Sequence, residues 1–131
     1  LKEKIKQHLV EQGWSVEDRS PVFQAGDDFP LIGKEVARAV AHDPNAEGIV
    51  VCGSGGGMAI AVNRIPGARG ICVRSLEEIV WAREDDRSNI LVLASRLTSK
   101  EEALRIMDAW LTHPISTIER FVRRAKLLDQ A

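Results

Sequence analysis

Cys52-Gly53-Ser54-Gly55-Gly56-Gly57 is the stretch whose residue types and spacing suggest chemistry. It follows the apolar run Gly48-Ile49-Val50-Val51 and precedes the helix-forming Met58-Ala59-Ile60-Ala61-Val62-Asn63-Arg64. The pattern predicts a buried strand, a turn stripped of side chains, and a helix N-terminus. Backbone N–H groups and the positive end of a helix dipole then converge on one spot, which suits an anion. The cysteine falls at the C-terminal end of the strand, where open α/β sheets place their ligands. A thiol beside an oxyanion-binding loop points to chemistry as well as binding. The commoner fate of an isolated cysteine is a buried structural thiol. The flanking glycines favour the functional reading for Cys52, whereas Cys72 lacks them and reads as core.

The elements that must position this loop follow from pattern. Leu1, Ile5, His8 and Leu9 recur at helical spacing, and Gly13 is a good terminator. The chain opens inside this helix and without an initiator methionine, so further chain upstream is expected. Trp14-Ser15-Val16-Glu17-Asp18 alternates like a strand, and residues 19–28, with Pro21 and Gly26, read as a loop. Asp28-Phe29-Pro30 starts a helix through His42, with Pro30 favoured in the first turn. The glycine-rich strand and helix come next, closed by Pro66-Gly67. Residues 68–73 form another strand, and Ser75 caps a helix carrying Leu76, Ile79, Val80 and Arg83, with Glu78 at the capping-box position. Residues 89–94 are a buried strand, Ser99 opens a helix through Leu111, and Pro114 precedes a last helix. Strands alternating with helices imply a doubly wound α/β fold, a parallel sheet with helices on both faces.

Composition bounds the rest. At 131 residues, 44% hydrophobic and 28% charged, the chain is sized for one ordinary globular domain, residues 1–131. A net charge of −1 offers no global attraction for nucleic acid or an anionic membrane, so a phosphate site must be local. No apolar run approaches a membrane span. Cys52 and Cys72 match neither a zinc site nor a disulfide-dense scaffold, so a reducing, cytoplasmic setting is expected, with no metal and no cofactor.

The run from Cys52 to Asn63-Arg64-Ile65-Pro66-Gly67 closely resembles the signature of the ribose-5-phosphate isomerase B and galactose-6-phosphate isomerase family. The likeness extends through Leu1-Lys2-Glu3-Lys4-Ile5, Asp28-Phe29-Pro30, Ala82-Arg83-Glu84, Ser88-Asn89-Ile90-Leu91 and the arginines near the end. It implies a five-stranded, Rossmann-like parallel sheet, with a first strand upstream of Leu1 ending in an Asp-His pair that helps bind the sugar phosphate. It also implies a homodimer or homotetramer in which residues of one subunit complete the other's site.

An aldose–ketose isomerase moves a proton between adjacent carbons through an enediolate. It needs a base, donors for the developing oxyanion, a group that opens the sugar ring, and cations for the phosphate. By resemblance Cys52 is the base, and an adjacent helix N-terminus favours its thiolate. Ser54 stands where a threonine is usual and joins Gly53, Gly55, Gly56 and Gly57 in the anion hole. Arg120 and Arg124, four apart on one helix face, match the arginine pair that grips phosphate, and Arg96 matches another phosphate contact. Guanidinium pairs bidentately with phosphate, which lysine does not. The plain alternative for these arginines is a solvated basic face, with Arg123 and Lys126 nearby.

The departures from the family pattern fall mainly after Arg83-Glu84. Asp85 aligns with the ring-opening histidine, and Asp86 with an asparagine that helps hold substrate. Phe29 replaces a tyrosine, and Arg74 stands where many members carry histidine. None of His8, His42 and His113 falls in a matching motif. An aspartate exchanges protons near neutral pH only if its pKa is raised well above ~3.9. The leading expectation is a sugar-phosphate aldose–ketose isomerase whose pocket has drifted from ribose 5-phosphate, acting on a pentose or hexose phosphate. The alternatives are a subunit of a heteromeric isomerase or a non-catalytic sugar-phosphate-binding or regulatory protein.

Overall fold

The structure, a computed structural model, describes residues 1–21, 26 and 28–130. At its centre lies β3 (Ile90–Ala94), every residue of which is fully buried. β1 (Gly48–Cys52) and β2 (Gly70–Cys72) pair with it in parallel, in the order β1-β3-β2. A strand covered on both faces has no solvent side, so Ile90-Leu91-Val92-Leu93-Ala94 is apolar throughout instead of alternating.

Six α-helices among the described residues flank the sheet: α1 (Lys2–Glu11), α2 (Phe29–His42), α3 (Gly56–Val62), α4 (Glu78–Val80), α5 (Lys100–Thr112) and α6 (Glu119–Leu128). Ile5 and Leu9 of α1, Ile79 of α4, and Ala103, Ile106, Met107 and Trp110 of α5 pack on Leu91 and Leu93. On the opposite face Ala37 and Val40 of α2 and Met58 and Val62 of α3 pack on Val50, Ile90 and Val92. Helices therefore cover both faces of a parallel sheet, as the alternation of elements predicts. At Gly33 an added Cβ would lie 2.9 Å from Met58 Sδ and 3.2 Å from Ala61 Cβ, so α2 and α3 approach where side chains are smallest.

The strands differ in extent from those expected. The sheet has three strands among the described residues, and Trp14–Asp18 is not one of them. The segment pairs with no strand, and side chains hold it instead. Val16 packs on the first core cluster, and the Asp18 carboxylate receives Lys2 Nζ at 3.1 Å and Lys6 Nζ at 3.3 Å. Of the expected loop that follows, residues 22–25 and 27 lie outside the described residues. The strand expected over 68–73 is trimmed to Gly70–Cys72. Its outer edge is occupied at Gly70 by the Asn63 amide, which accepts the Gly70 N–H and donates to the Gly70 carbonyl, both at 2.8 Å.

The helix expected after Ser75 also differs. Glu78 Oε2 accepts the Ser75 N–H at 3.2 Å, as a capping box requires, but regular α-helix lasts only through Val80. A π-helical turn, Trp81–Asp85, follows, with the Asp86 N–H reaching the Trp81 carbonyl at 3.0 Å. Its widening buries Ala82 and Arg83 together, and Arg87 then takes a left-handed conformation (φ 50°) before Ser88 leads into β3. Arg83, 3% exposed, donates to Glu47 Oε1 (2.6 Å), the Ser88 carbonyl (2.8 Å) and the His113 carbonyl (3.0 Å). Its guanidinium also stacks on Trp110, 4.3 Å from the ring centroid, and Trp110 Nε1–H donates to Ser88 Oγ. Removing one partner of a buried ion pair leaves an uncompensated charge, which costs about 3 kcal/mol. Glu47→Ala should lower stability by about that amount in urea unfolding, and an unchanged midpoint would show that the two carbonyls alone suffice for Arg83.

Candidate active site

The pairing of β1 with β3 brings Cys52 level with Ala94 at the C-terminal edge of the sheet. It continues past the strand ends, for the Ser95 N–H donates to the Cys52 carbonyl (2.8 Å) and the Arg96 N–H to the Gly53 carbonyl (3.0 Å). Arg96 therefore folds back over the residue that follows the thiol. A Cβ at Gly53 would lie 2.9 Å from Arg96 Nε and 3.0 Å from its Cζ, so the guanidinium rests on the Gly53 backbone. A cation and a half-buried thiol meet at one glycine.

The loop then turns sharply. Gly55 is buried and left-handed (φ 82°), a conformation that favours glycine, and serves as N-cap of α3. Its N–H donates to Cys52 Sγ at 3.1 Å, and the Gly56 N–H reaches Ser54 Oγ at 3.3 Å. Two of the donors expected for an anion are thus directed at the thiol and the hydroxyl. On the far side the Phe29 ring covers Gly57, its Cζ 2.6 Å from where a Cβ would be. The first residue of α2 consequently forms the apolar rim of the loop.

The other expected site residues lie on separate elements. Asp85 ends the π-helical turn and Asp86 follows it, both exposed. Burial pushes the Asp86 carboxyl up from its ordinary value, and the charge of Asp85 adds to the push. Arg120 and Arg124 sit on the exposed side of α6 and flank Phe121, 4.5 and 6.0 Å from its ring centroid. Among the described residues no hydrogen bond or ion pair joins either arginine to the Cys52 loop. The three histidines are engaged elsewhere: His8 with Asp108 (2.9 Å), His42 with the Arg38 carbonyl (2.7 Å) and His113 with Glu84 (2.8 Å). A surface groove of about 460 Å³ lined by Gln12, Trp14, Asp108 and Thr112 contains none of the expected site residues. No group of three or more potential metal ligands occurs among the described residues, and no helix there is long and apolar enough to cross a membrane.

Cys72 makes a contact that sequence reasoning missed. It borders the second core cluster, as expected, but its Sγ also lies against Gly55, where an added Cβ would collide with it. Nothing near Cys72 in the sequence signals this, because the contact joins the end of β2 to a loop that follows β1.

The profile of the ribose/galactose isomerase family matches residues 1–128. The chain belongs to that family. Its relatives include the ribose-5-phosphate isomerase B of Mycobacterium tuberculosis, 36% identical over 131 residues, covering 99% of this chain and 81% of that protein. The Escherichia coli ribose-5-phosphate isomerase B is 36% identical over 111 residues, 85% of this chain and 74% of that protein. The crystal structure of a ribose 5-phosphate isomerase from Thermotoga maritima superposes with a TM-score of 0.90 at 35% identity, covering 99% of this chain and 89% of that one. The Mycoplasma genitalium ribose-5-phosphate isomerase B with bound ribulose-5-phosphate gives a TM-score of 0.88 at 31% identity, over 97% of this chain and 85% of that one.

Two glycines of this family site should respond differently to one added methyl. At Gly53 the obstacle is the movable end of Arg96, so Gly53→Ala should keep its melting temperature and lose activity as Arg96 shifts. At Gly55 the left-handed backbone adds strain of about 1–3 kcal/mol, so Gly55→Ala should unfold at clearly lower temperature. Equal thermal shifts in the two variants would contradict this placement of Arg96 and the turn.

Proposed function

We propose that this chain is a sugar-phosphate aldose–ketose isomerase in which Cys52 is the base. The observation that carries the reading is the Cys52–Gly57 loop, with Arg96 folded onto Gly53, in a chain matched by the isomerase family over residues 1–128. The Cys52 thiolate takes the proton from C2 of the open-chain aldose. The C–H electron pair forms the C1–C2 double bond, and the carbonyl oxygen becomes the oxyanion of an enediolate. Return of the proton to C1, with transfer of the O2 proton to O1, yields the ketose.

Ser54 and the N–H groups of Gly53, Gly56 and Gly57 are assigned to the charge that develops in this step, the kind of contact that contributes most to such catalysis, while the Gly55 N–H is directed at the Cys52 sulfur. The long Gly56–Ser54 bond is one that an anionic oxygen would replace. Asp85 and Asp86 are assigned to ring opening and to holding the sugar, and Arg96, Arg120 and Arg124 to the phosphate. Two free thiols suit a reducing, cytoplasmic setting.

A second subunit fits this assignment. Drug-sized ligands are usually held in clefts that bury most of their surface, yet Ser54, Asp85, Asp86, Arg96, Arg120 and Arg124 are all exposed in the single chain. Exposed Ile118, Leu127 and Leu128 on and beside α6 supply apolar surface for a partner. We therefore place Arg120 and Arg124 at the site of a partner subunit in a homodimer, with a tetramer as its possible doubling. For the five-stranded sheet, the outer edge of β1, which has no strand partner among the described residues, is the place for the further strands.

The substrate is read as a five- or six-carbon aldose phosphate. An exposed aspartate ordinarily stays ionised where a histidine exchanges protons, so Asp85 favours slow ring opening of ribose 5-phosphate. In a coupled assay over pentose and hexose phosphates, Asp85→His should raise turnover of ribose 5-phosphate. Robust turnover of that sugar by the unmodified protein would refute the drift in substrate preference. Binding without turnover of any sugar phosphate would favour the non-catalytic alternative.

Shared sites can be tested by mixing subunits. Cys52→Ala and Arg124→Ala should each be inactive, and reassociation of the two should restore activity, because one site in each mixed dimer is intact. A mixture that stays inactive while forming mixed dimers would put both residues in the same subunit's site.

A further inference from the structure

Cys72 and Cys52 lie on the same face of the sheet, at the ends of strands separated by β3. Between them stands Gly55. Its N–H donates to Cys52 Sγ, while its Cα rests on the Cys72 side chain and on Ala94. A Cβ at this position would meet Cys72 Sγ first, then Ala94 Cβ at 3.4 Å and Cys72 Cβ at 3.5 Å. The turn that presents a donor to one thiol is therefore seated on the other.

We propose that Cys72 is a positioning residue for Cys52: its side chain is the floor that holds Gly55 at the height where the Gly55 N–H meets Cys52 Sγ. This rests on the reading of Cys52 as the base. Two features separate the role from mere packing. Gly55 lies against both sulfurs, so any sinking of its Cα moves its N–H relative to Cys52. In addition, burial pushes the Cys72 thiol up, with Cys52 and Glu78 adding to the push and the Arg74 guanidinium opposing it. Burial thus keeps Cys72 from bringing a competing negative charge beside Cys52, while Arg96 lies over the neighbouring Gly53.

A disulfide is not the basis of the pairing. Cys52 lies opposite Ala94 and Cys72 opposite Val92, so two strand spacings and a two-residue offset put the cysteine Cα atoms roughly 11–12 Å apart, beyond the span of about 7 Å that a disulfide bridges. The Gly55 backbone also occupies the space between the sulfurs.

The test compares wild type, Cys72→Ala and Cys72→Val in the full chain. Iodoacetamide at neutral pH labels Cys52, which is quantified by peptide mass. In Cys72→Ala the floor is lost, the Gly55 N–H drifts from the sulfur, and Cys52 should alkylate about tenfold more slowly. Cys72→Val refills the space with apolar volume and should restore the rate. Turnover of ribulose 5-phosphate has no ring to open because its 5-hydroxyl is esterified, so it isolates the proton transfer from Asp85. There kcat should fall in Cys72→Ala with KM unchanged, and recover in Cys72→Val. A wild-type alkylation rate in Cys72→Ala, or failure of Cys72→Val to restore it, would overturn the proposal. The alkylation result does not depend on Cys52 being the base, which Cys52→Ala decides separately.

Discussion

The site depends on the way β3 pairs with β1 and then keeps pairing. Within the strands the register brings Cys52 opposite Ala94. Beyond them the Ser95 and Arg96 N–H groups still bond to the Cys52 and Gly53 carbonyls, so the chain leaving β3 is tied to the chain leaving β1. That tie places a guanidinium on the Gly53 backbone beside the thiol. A one-residue slip would turn Cys52 to the other face of the sheet and carry Arg96 away from Gly53. Full burial of β3 on both faces guards against the slip, because its apolar side chains interlock with two separate helix layers.

Small residues make the loop possible in three different ways. Gly53 leaves room for Arg96, Gly57 for the Phe29 ring, and Gly55 supplies a left-handed turn seated on Cys72 and Ala94. Side chains at these positions would separate the thiol from the groups around it. The glycine run is thus a set of contacts with distant parts of the chain, and its flexibility in isolation is secondary.

A second constraint shapes the Asp85–Asp86 segment. Arg83 is drawn inward by Glu47, two carbonyls and the Trp110 ring, and the backbone widens into a π-helical turn to let it in. Because Arg83 also bonds the Ser88 carbonyl, it fastens both ends of the Asp85–Arg87 loop. The paired carboxylates are therefore carried on a fixed rim, and partial burial alters the acidity of Asp86.

Much was legible in the sequence because it is encoded locally. The apolar run into Cys52, the glycines after it, Ser99 ahead of α5, whose Oγ accepts the Glu102 N–H, and the wholly apolar β3 are all short-range signals. They sufficed for a parallel α/β fold and for Cys52 at a strand end beside a glycine loop that leads into α3, and the family signature agreed. What they could not determine were relations between distant elements. Alternation at Trp14–Asp18 looked like a strand, but a ladder needs a neighbouring edge that local pattern does not report. Likewise the helix after Ser75 became a π-helical turn because Arg83 found Glu47, thirty-six residues away, and a local propensity cannot anticipate that. Cys72 read as core until tertiary packing set Gly55 upon it. Residue types determined which chemistry was available; the tertiary structure decided which groups meet, because contacts between separate elements depend on how whole layers pack.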